Sequence, residues 1–136
     1  MKGSRWFIVL VAVCSLAVGF ELGSAVGQQS PPTENKGLDA KVESTIDLGP
    51  NFAGYQLRLR TITFDSGGVA GFHSHKERPA FAYILQGRLT ELRQGGYEKI
   101  LGPGGTITES RDDVEHWAEN RGGEKVVLIG VDVIKP

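Results

Sequence analysis

From Asp39 to the C-terminus no stretch of this sequence sustains a helical period. Its apolar residues come in short segments punctuated by glycine. Apolar runs of four to ten residues between turn signals read as β-strands. The candidate strands are 42–48, 55–64, 69–75, 80–86, 88–93, 97–101, 106–110, 115–120 and 125–134. The turn signals between them include Asp65-Ser66-Gly67-Gly68, Gln94-Gly95-Gly96, Gly102-Pro103-Gly104-Gly105 and Arg121-Gly122-Gly123. The chain has 19 glycines, about twice the average share, and they gather at these turns. Many short strands at even spacing predict an all-β sandwich or small barrel.

The first residues have a different character. Lys2 and Arg5 precede an unbroken apolar run from Trp6 to Val13, which continues more weakly to Phe20. The small residues Gly23-Ser24-Ala25-Val26-Gly27 follow. Residues 1–27 read as a secretory signal peptide, cut after Ala25 or Gly27, which places the mature chain in the periplasm or outside the cell. An uncleaved anchor is the alternative, although the run is short against the ~20 residues of a full span. Cys14 raises a lipid-modified start, against which Val13 stands where a small residue is expected.

Cys14 is the only cysteine, so the mature chain has no disulfide, thiolate ligand or Cys nucleophile. Losing Lys2, Arg5 and Glu21 moves the formal charge from −1 to −2. No basic patch speaks for nucleic acid. No membrane contact is expected once the leader is gone. Residues 28–38 are polar and contain Pro31-Pro32, the composition of a flexible linker. Residues 39–136 then form one domain around one core.

Only three histidines occur. His73 and His75 are two apart, so on a strand they share a face. His116 lies forty-one residues beyond His75, in Glu115-His116-Trp117-Ala118-Glu119-Asn120. Brought in by a neighbouring strand, it would complete one face of a coordination sphere. Neutral imidazoles suit a divalent transition metal such as Fe, Mn, Ni, Cu or Zn.

Two patterns resemble the cupins. The first is Gly67, five residues, His73-Ser74-His75, then Pro79 to Gly87; the second is Gly105, ten residues, His116, three residues, Asn120. The similarity covers residues 40–136. It implies a small single-domain, type-2-like cupin: a β-barrel of about nine strands of the double-stranded β-helix (jelly-roll) type, binding a divalent transition metal through His73, His75 and His116. Cupins usually carry a Glu five residues after the second histidine, and this chain has Ala80. Arg111 and Asp113 also replace the proline and glycine usual in the second pattern. Glu77 and Glu109 are candidate replacement carboxylates, but the plain reading of both is a solvated rim charge.

Other residues are read more plainly. Ala80 and Ala82 share a strand face and either leave space beside the metal or pack against a bulky neighbour. Arg78 could clamp an anion, though a surface role is the default. Arg58 and Arg60 alternate with Leu57 and Leu59, so they are expected at solvent or a subunit contact. Tyr83 and Trp117 read as core or dimer-face aromatics.

Two functions remain open: a metal-dependent oxygenase or related enzyme acting on a small organic anion, and a non-catalytic periplasmic protein binding metal or a small ligand. A metal-free interaction protein is the third class. A homodimer is expected in each.

Overall fold

The computed structural model describes residues 30–109 and 115–136; the expected leader, residues 1–27, lies outside them. Eight strands are described: β1 (Lys36–Asp47), β2 (Gln56–Ser74), β3 (Ala80–Gln86), β4 (Leu89–Arg93), β5 (Tyr97–Leu101), β6 (Thr106–Glu109), β7 (Glu115–Glu119) and β8 (Val126–Ile134). A short 3₁₀ turn, Pro50–Phe52, joins β1 to β2. Every pairing is antiparallel. The order β5-β4-β7-β2-β8-β3-β6, with β1 on the outer side of β2, wraps into a nearly closed barrel. This is the all-β barrel that the segment pattern led to and the jelly-roll type that the resemblance implied.

Period-two alternation decides what each strand buries. On β3, Ala80, Ala82 and Ile84 are buried while Phe81 and Tyr83 face out. On β8, Val126, Leu128, Gly130 and Asp132 are the buried set. The core is Phe64, Ile84, Leu89, Leu101, Ile107, Val126 and Leu128. Beside it the inward residues become small, with Ala80, Ala82 and Gly130, and a cavity opens there.

Two expectations need correction. The first is that 55–64 and 69–75 are separate strands; they are one strand, β2. Up to Phe64 it lies between β1 and β8, and beyond Gly68 it pairs with β7. The glycines between them redirect the strand instead of ending it. Gly67 has φ +72°, and a Cβ on Gly68 would lie 2.7 Å from the Gly37 carbonyl oxygen and 2.8 Å from that of Asp65. Only glycine fits such an approach. Asn120 holds the bend. Its side-chain amide donates to the carbonyls of Asp65 (2.9 Å) and Glu124 (2.7 Å), and its backbone N–H donates to Gly68 O (2.9 Å).

The second is the linker at 28–38. Lys36 to Leu38 already belong to β1. Upstream of them, Gly71 N–H donates to Asn35 Oδ1 (2.9 Å) and Phe72 N–H to Pro32 O (2.6 Å). Asn35 and Leu38 line the cavity. Polar composition suggested a tether; the backbone needs of β2 make residues 32–38 part of the wall.

Candidate metal centre

His73 lies one residue before the end of β2, and His75 one residue past it. The β2–β7 register sets His73 directly opposite His116. A register shift between Ala70 and His73 turns the histidine pair inward. The three ring centroids are 4.6, 5.0 and 5.1 Å apart. His73 Nε2 is 3.0 Å from His75 Nε2 and 3.1 Å from His116 Nε2.

The partners of the other ring nitrogens set the tautomers. His73 Nδ1 faces Gly71 O at 2.7 Å. His75 Nδ1 faces Arg78 O at 3.2 Å and Glu109 Oε2 at 3.1 Å. His116 Nδ1 faces Glu91 Oε1 at 3.3 Å. Carbonyls and carboxylates only accept, so each Nδ1 carries a proton and donates it. In the neutral rings, three bare Nε2 lone pairs are then left facing one another. Such lone pairs repel unless a cation sits between them. Two of their edges, 3.0 and 3.1 Å, match nitrogens ~2.1 Å from a shared metal ion on neighbouring coordination positions, and all three donors lie within 4.8 Å of one another. Donor chemistry and geometry both fit a divalent transition metal.

Protonation of the metal-free chain agrees in part. Burial pushes His73 below the ordinary histidine value and His75 down to about 4. Burial acts on His116 too, but the carboxylates of Glu109 and Glu91 outweigh it and hold its pKa up. Glu109 Oε1 lies 3.1 Å from His116 Nε2. The metal position thus faces a carboxylate that favours positive charge there, carried by a proton or by a metal.

Glu109 corrects the rim reading. It sits on the buried parity of β6, with Ile107 two residues before it. Glu77 is exposed in the turn after β2, with φ +62°. Glu91 and Asp132 were not singled out from the sequence. Both are 1% exposed. The signal for Asp132 was legible as a carboxylate on the same parity as Val126 and Leu128 in an otherwise apolar strand.

Arg58 and Arg60 also depart from expectation. They do face away from Leu57 and Leu59, but that side is the barrel interior, shared with Ile62 and Phe64. Arg58 grips Asp132 with Nε (3.0 Å) and Nη2 (2.7 Å), Arg60 Nη2 reaches it at 3.1 Å, and Arg78 Nη1 at 3.5 Å. Three guanidinium groups thus surround one buried carboxylate. Arg60 and Arg78 also line a cavity of about 230 Å³ with the three histidines and Glu109. Ala80 and Ala82 line it as well, which settles their reading in favour of open space. Arg60 Nε is buried with no hydrogen-bond partner among the described residues. Trp117 packs against Phe72 at 6.3 Å, and Tyr83 is on the outer surface; neither lines this cavity.

Comparison with known proteins follows the geometry. Residues 60–133 match the family described as cupin domain. No curated protein matches by sequence. Among solved structures, a polyketide cyclase from Streptomyces resistomycificus is 22% identical with TM-score 0.58, covering 75% of this chain and 68% of its own. An uncharacterised double-stranded β-helix protein from Klebsiella pneumoniae is 16% identical with TM-score 0.57, covering 75% and 81%. A recombinant oxalate oxidase in complex with glycolate is 17% identical with TM-score 0.56, covering 72% and 54%. At these identities the likeness is one of fold.

Proposed function

The chain belongs to the cupin domain family, and from that premise we propose that it is an exported cupin holding one divalent transition metal on His73, His75 and His116, where it acts on a small organic anion. The observation that carries this reading is the convergence of three Nε2 atoms on a cavity that also presents Arg60 and Arg78. Asp132 neutralises one of three guanidinium groups, so the cluster keeps a net positive charge. A substrate carboxylate suits it. At about 230 Å³ the cavity is smaller than the ~300–1,000 Å³ of drug-sized sites, which favours a small acid.

The roles divide by residue. Arg60 and Arg78 bind and orient the anion. Ile62, Phe64 and Leu128 enclose its apolar part and exclude water. Glu91 and the Gly71 carbonyl fix the imidazole orientations. A metal held here supplies Lewis acidity or redox chemistry at its open positions.

Export rests on Lys2, Arg5 and the apolar run after them. The homodimer is supported by the outward stripe Phe81 (62% exposed), Tyr83 (47%) and Leu85 (49%) on β3, since apolar patches of this kind mark contact surfaces.

Elemental analysis of protein purified without a His-tag or chelator tests the metal reading; about one transition-metal ion per chain is expected. A metal-free preparation that takes up no added Zn²⁺, Fe²⁺ or Mn²⁺ would overturn it. Metal-dependent turnover of small carboxylic acids then separates an enzyme from a protein that only binds them.

A further inference from the structure

We propose that Glu109 is a fourth protein ligand of this centre, delivered by β6 from directly across the strand pair. The proposal rests on the three-histidine reading and adds an anionic donor to it.

Three observations converge on Glu109. Its carboxylate is buried, with the side chain 10% exposed, and a carboxylate out of water needs a cation or strong donors. Its described close contacts are His75 Nδ1 and His116 Nε2, each at 3.1 Å. Oε1 is therefore as far from His116 Nε2 as the imidazole nitrogens are from one another. An oxygen at that spacing from His116 Nε2 can share an ion with it, beside the cluster of three histidines. Oε2 lies 3.1 Å from His75 Nδ1, whose hydrogen bond goes to Arg78 O at 3.2 Å, so the carboxylate sits beside two of the three imidazoles.

The third observation is register. Ala80 on β3 is the direct cross-strand partner of Glu109 on β6, and both side chains face the cavity. Cβ atoms of such partners lie ~4.5–5.5 Å apart. A carboxylate starting from either position can thus reach the same point, and the methyl group at Ala80 leaves the room that the Glu109 side chain uses. With Glu109 bound, three neutral histidines and one carboxylate leave a divalent ion one net positive charge. Open positions remain for an external anion beside Arg60 and Arg78.

Cobalt(II) is the test probe, because its visible absorption reports coordination number. The wild-type protein, Glu109→Gln, Glu109→Ala, Ala80→Glu/Glu109→Ala and His116→Ala are titrated after metal removal. Thermal unfolding of each metal-free protein serves as the folding control. The proposal expects Glu109→Gln to bind at least tenfold more weakly, with an altered spectrum. It also expects Ala80→Glu/Glu109→Ala to recover to within a few-fold of wild type while Glu109→Ala does not. Loss of affinity without rescue from position 80 and without spectral change assigns Glu109 an orienting role and overturns the proposal. Wild-type affinity in Glu109→Gln, together with lost binding in His116→Ala, overturns the fourth ligand and leaves the three-histidine site standing. If the wild type binds no cobalt, both readings fall. Should Glu109→Gln not fold, the comparison of Glu109→Ala with its Ala80→Glu partner decides.

Discussion

Asp132 shows how much one residue carries. It lies in the barrel interior, and three arginines from two segments of chain converge on it. Removing one partner of a buried ion pair leaves uncompensated charge, which costs ~3–5 kcal/mol. Asp132→Asn is expected to lose stability of that order in chemical denaturation. Burial alone would raise its pKa. The Arg58 hydrogen bond and the Arg60, Arg58 and Arg78 charges outweigh burial and hold the carboxyl below its usual range. Its contribution is therefore full above the unfolded value of ~3.9 and is lost as pH falls through the lower folded value. Asp132→Asn should flatten the acid limb of the stability curve; an unchanged limb would refute this assignment. The histidines carry opposite signs. In metal-free protein, His75 is depressed to about 4. Its contribution therefore falls as pH drops from the free value of ~6.5 to about 4. His116 is raised, so its contribution is full below ~6.5 and is lost as pH rises through its elevated value. NMR titration should show His116 charging first on acidification and His75 last. The reverse order would contradict the carboxylate contacts to His116.

Among the elements, β2 does most to build the site. Its first half brings Arg60 to the cavity and Arg58 to Asp132 behind it, and its second half brings His73 and, just beyond its end, His75. The bend between them depends on Gly67, Gly68 and the amide of Asn120. Asn120→Asp keeps the shape but removes the donors to the Asp65 and Glu124 carbonyls and sets a carboxylate against them. Each buried group left unpaired costs ~1–3 kcal/mol. The variant should lose several degrees of Tm, and metal affinity should fall with it as the two halves of β2 come out of alignment. Unchanged metal affinity in a destabilised Asn120→Asp would show that the bend does not position the histidines. The sequence made this bend visible as Asp65-Ser66-Gly67-Gly68, but not its sense. A glycine pair reads alike whether a strand ends there or changes partner, and only the pairing with β7 separates the two.

At the scale of the whole molecule, the segment before β1 closes the barrel wall. Removing residues up to Gly37 takes away the Asn35 acceptor for Gly71 N–H and the Pro32 acceptor for Phe72 N–H. Both donors lie within two residues of His73. A chain starting at Leu38 is expected to show a lower Tm and weaker metal retention than one starting at Gln28; equal values would mean that these bonds are replaced by water at no cost. β1 pairs only with β2 among the described residues and is exposed along most of its length. A long free edge invites pairing, which adds to the support for a dimer. Light scattering should give a dimer mass, and Tyr83→Lys/Leu85→Lys should shift it to monomer. A dimer that persists in this variant would move the interface away from β3.

The sequence alone made the all-β architecture legible and singled out a set of three histidines. Alternation and glycine placement specify β structure because a two-residue period exposes one face and buries the other. Three histidines, with no cysteine in residues 28–136, point to imidazole as the candidate nitrogen donor. The parity of Leu57, Arg58, Leu59 and Arg60 was also legible, but not its direction. Alternation says that two faces differ, and only the partner strands say which face is inside. Here β8 brings Asp132 to the arginine side and so makes the barrel interior the better place for three cations. Glu109 and Ala80, twenty-nine positions apart in the sequence, became neighbours only through the β3–β6 register. A carboxylate's role depends on what lies across the ladder, and that is fixed by how the barrel closes.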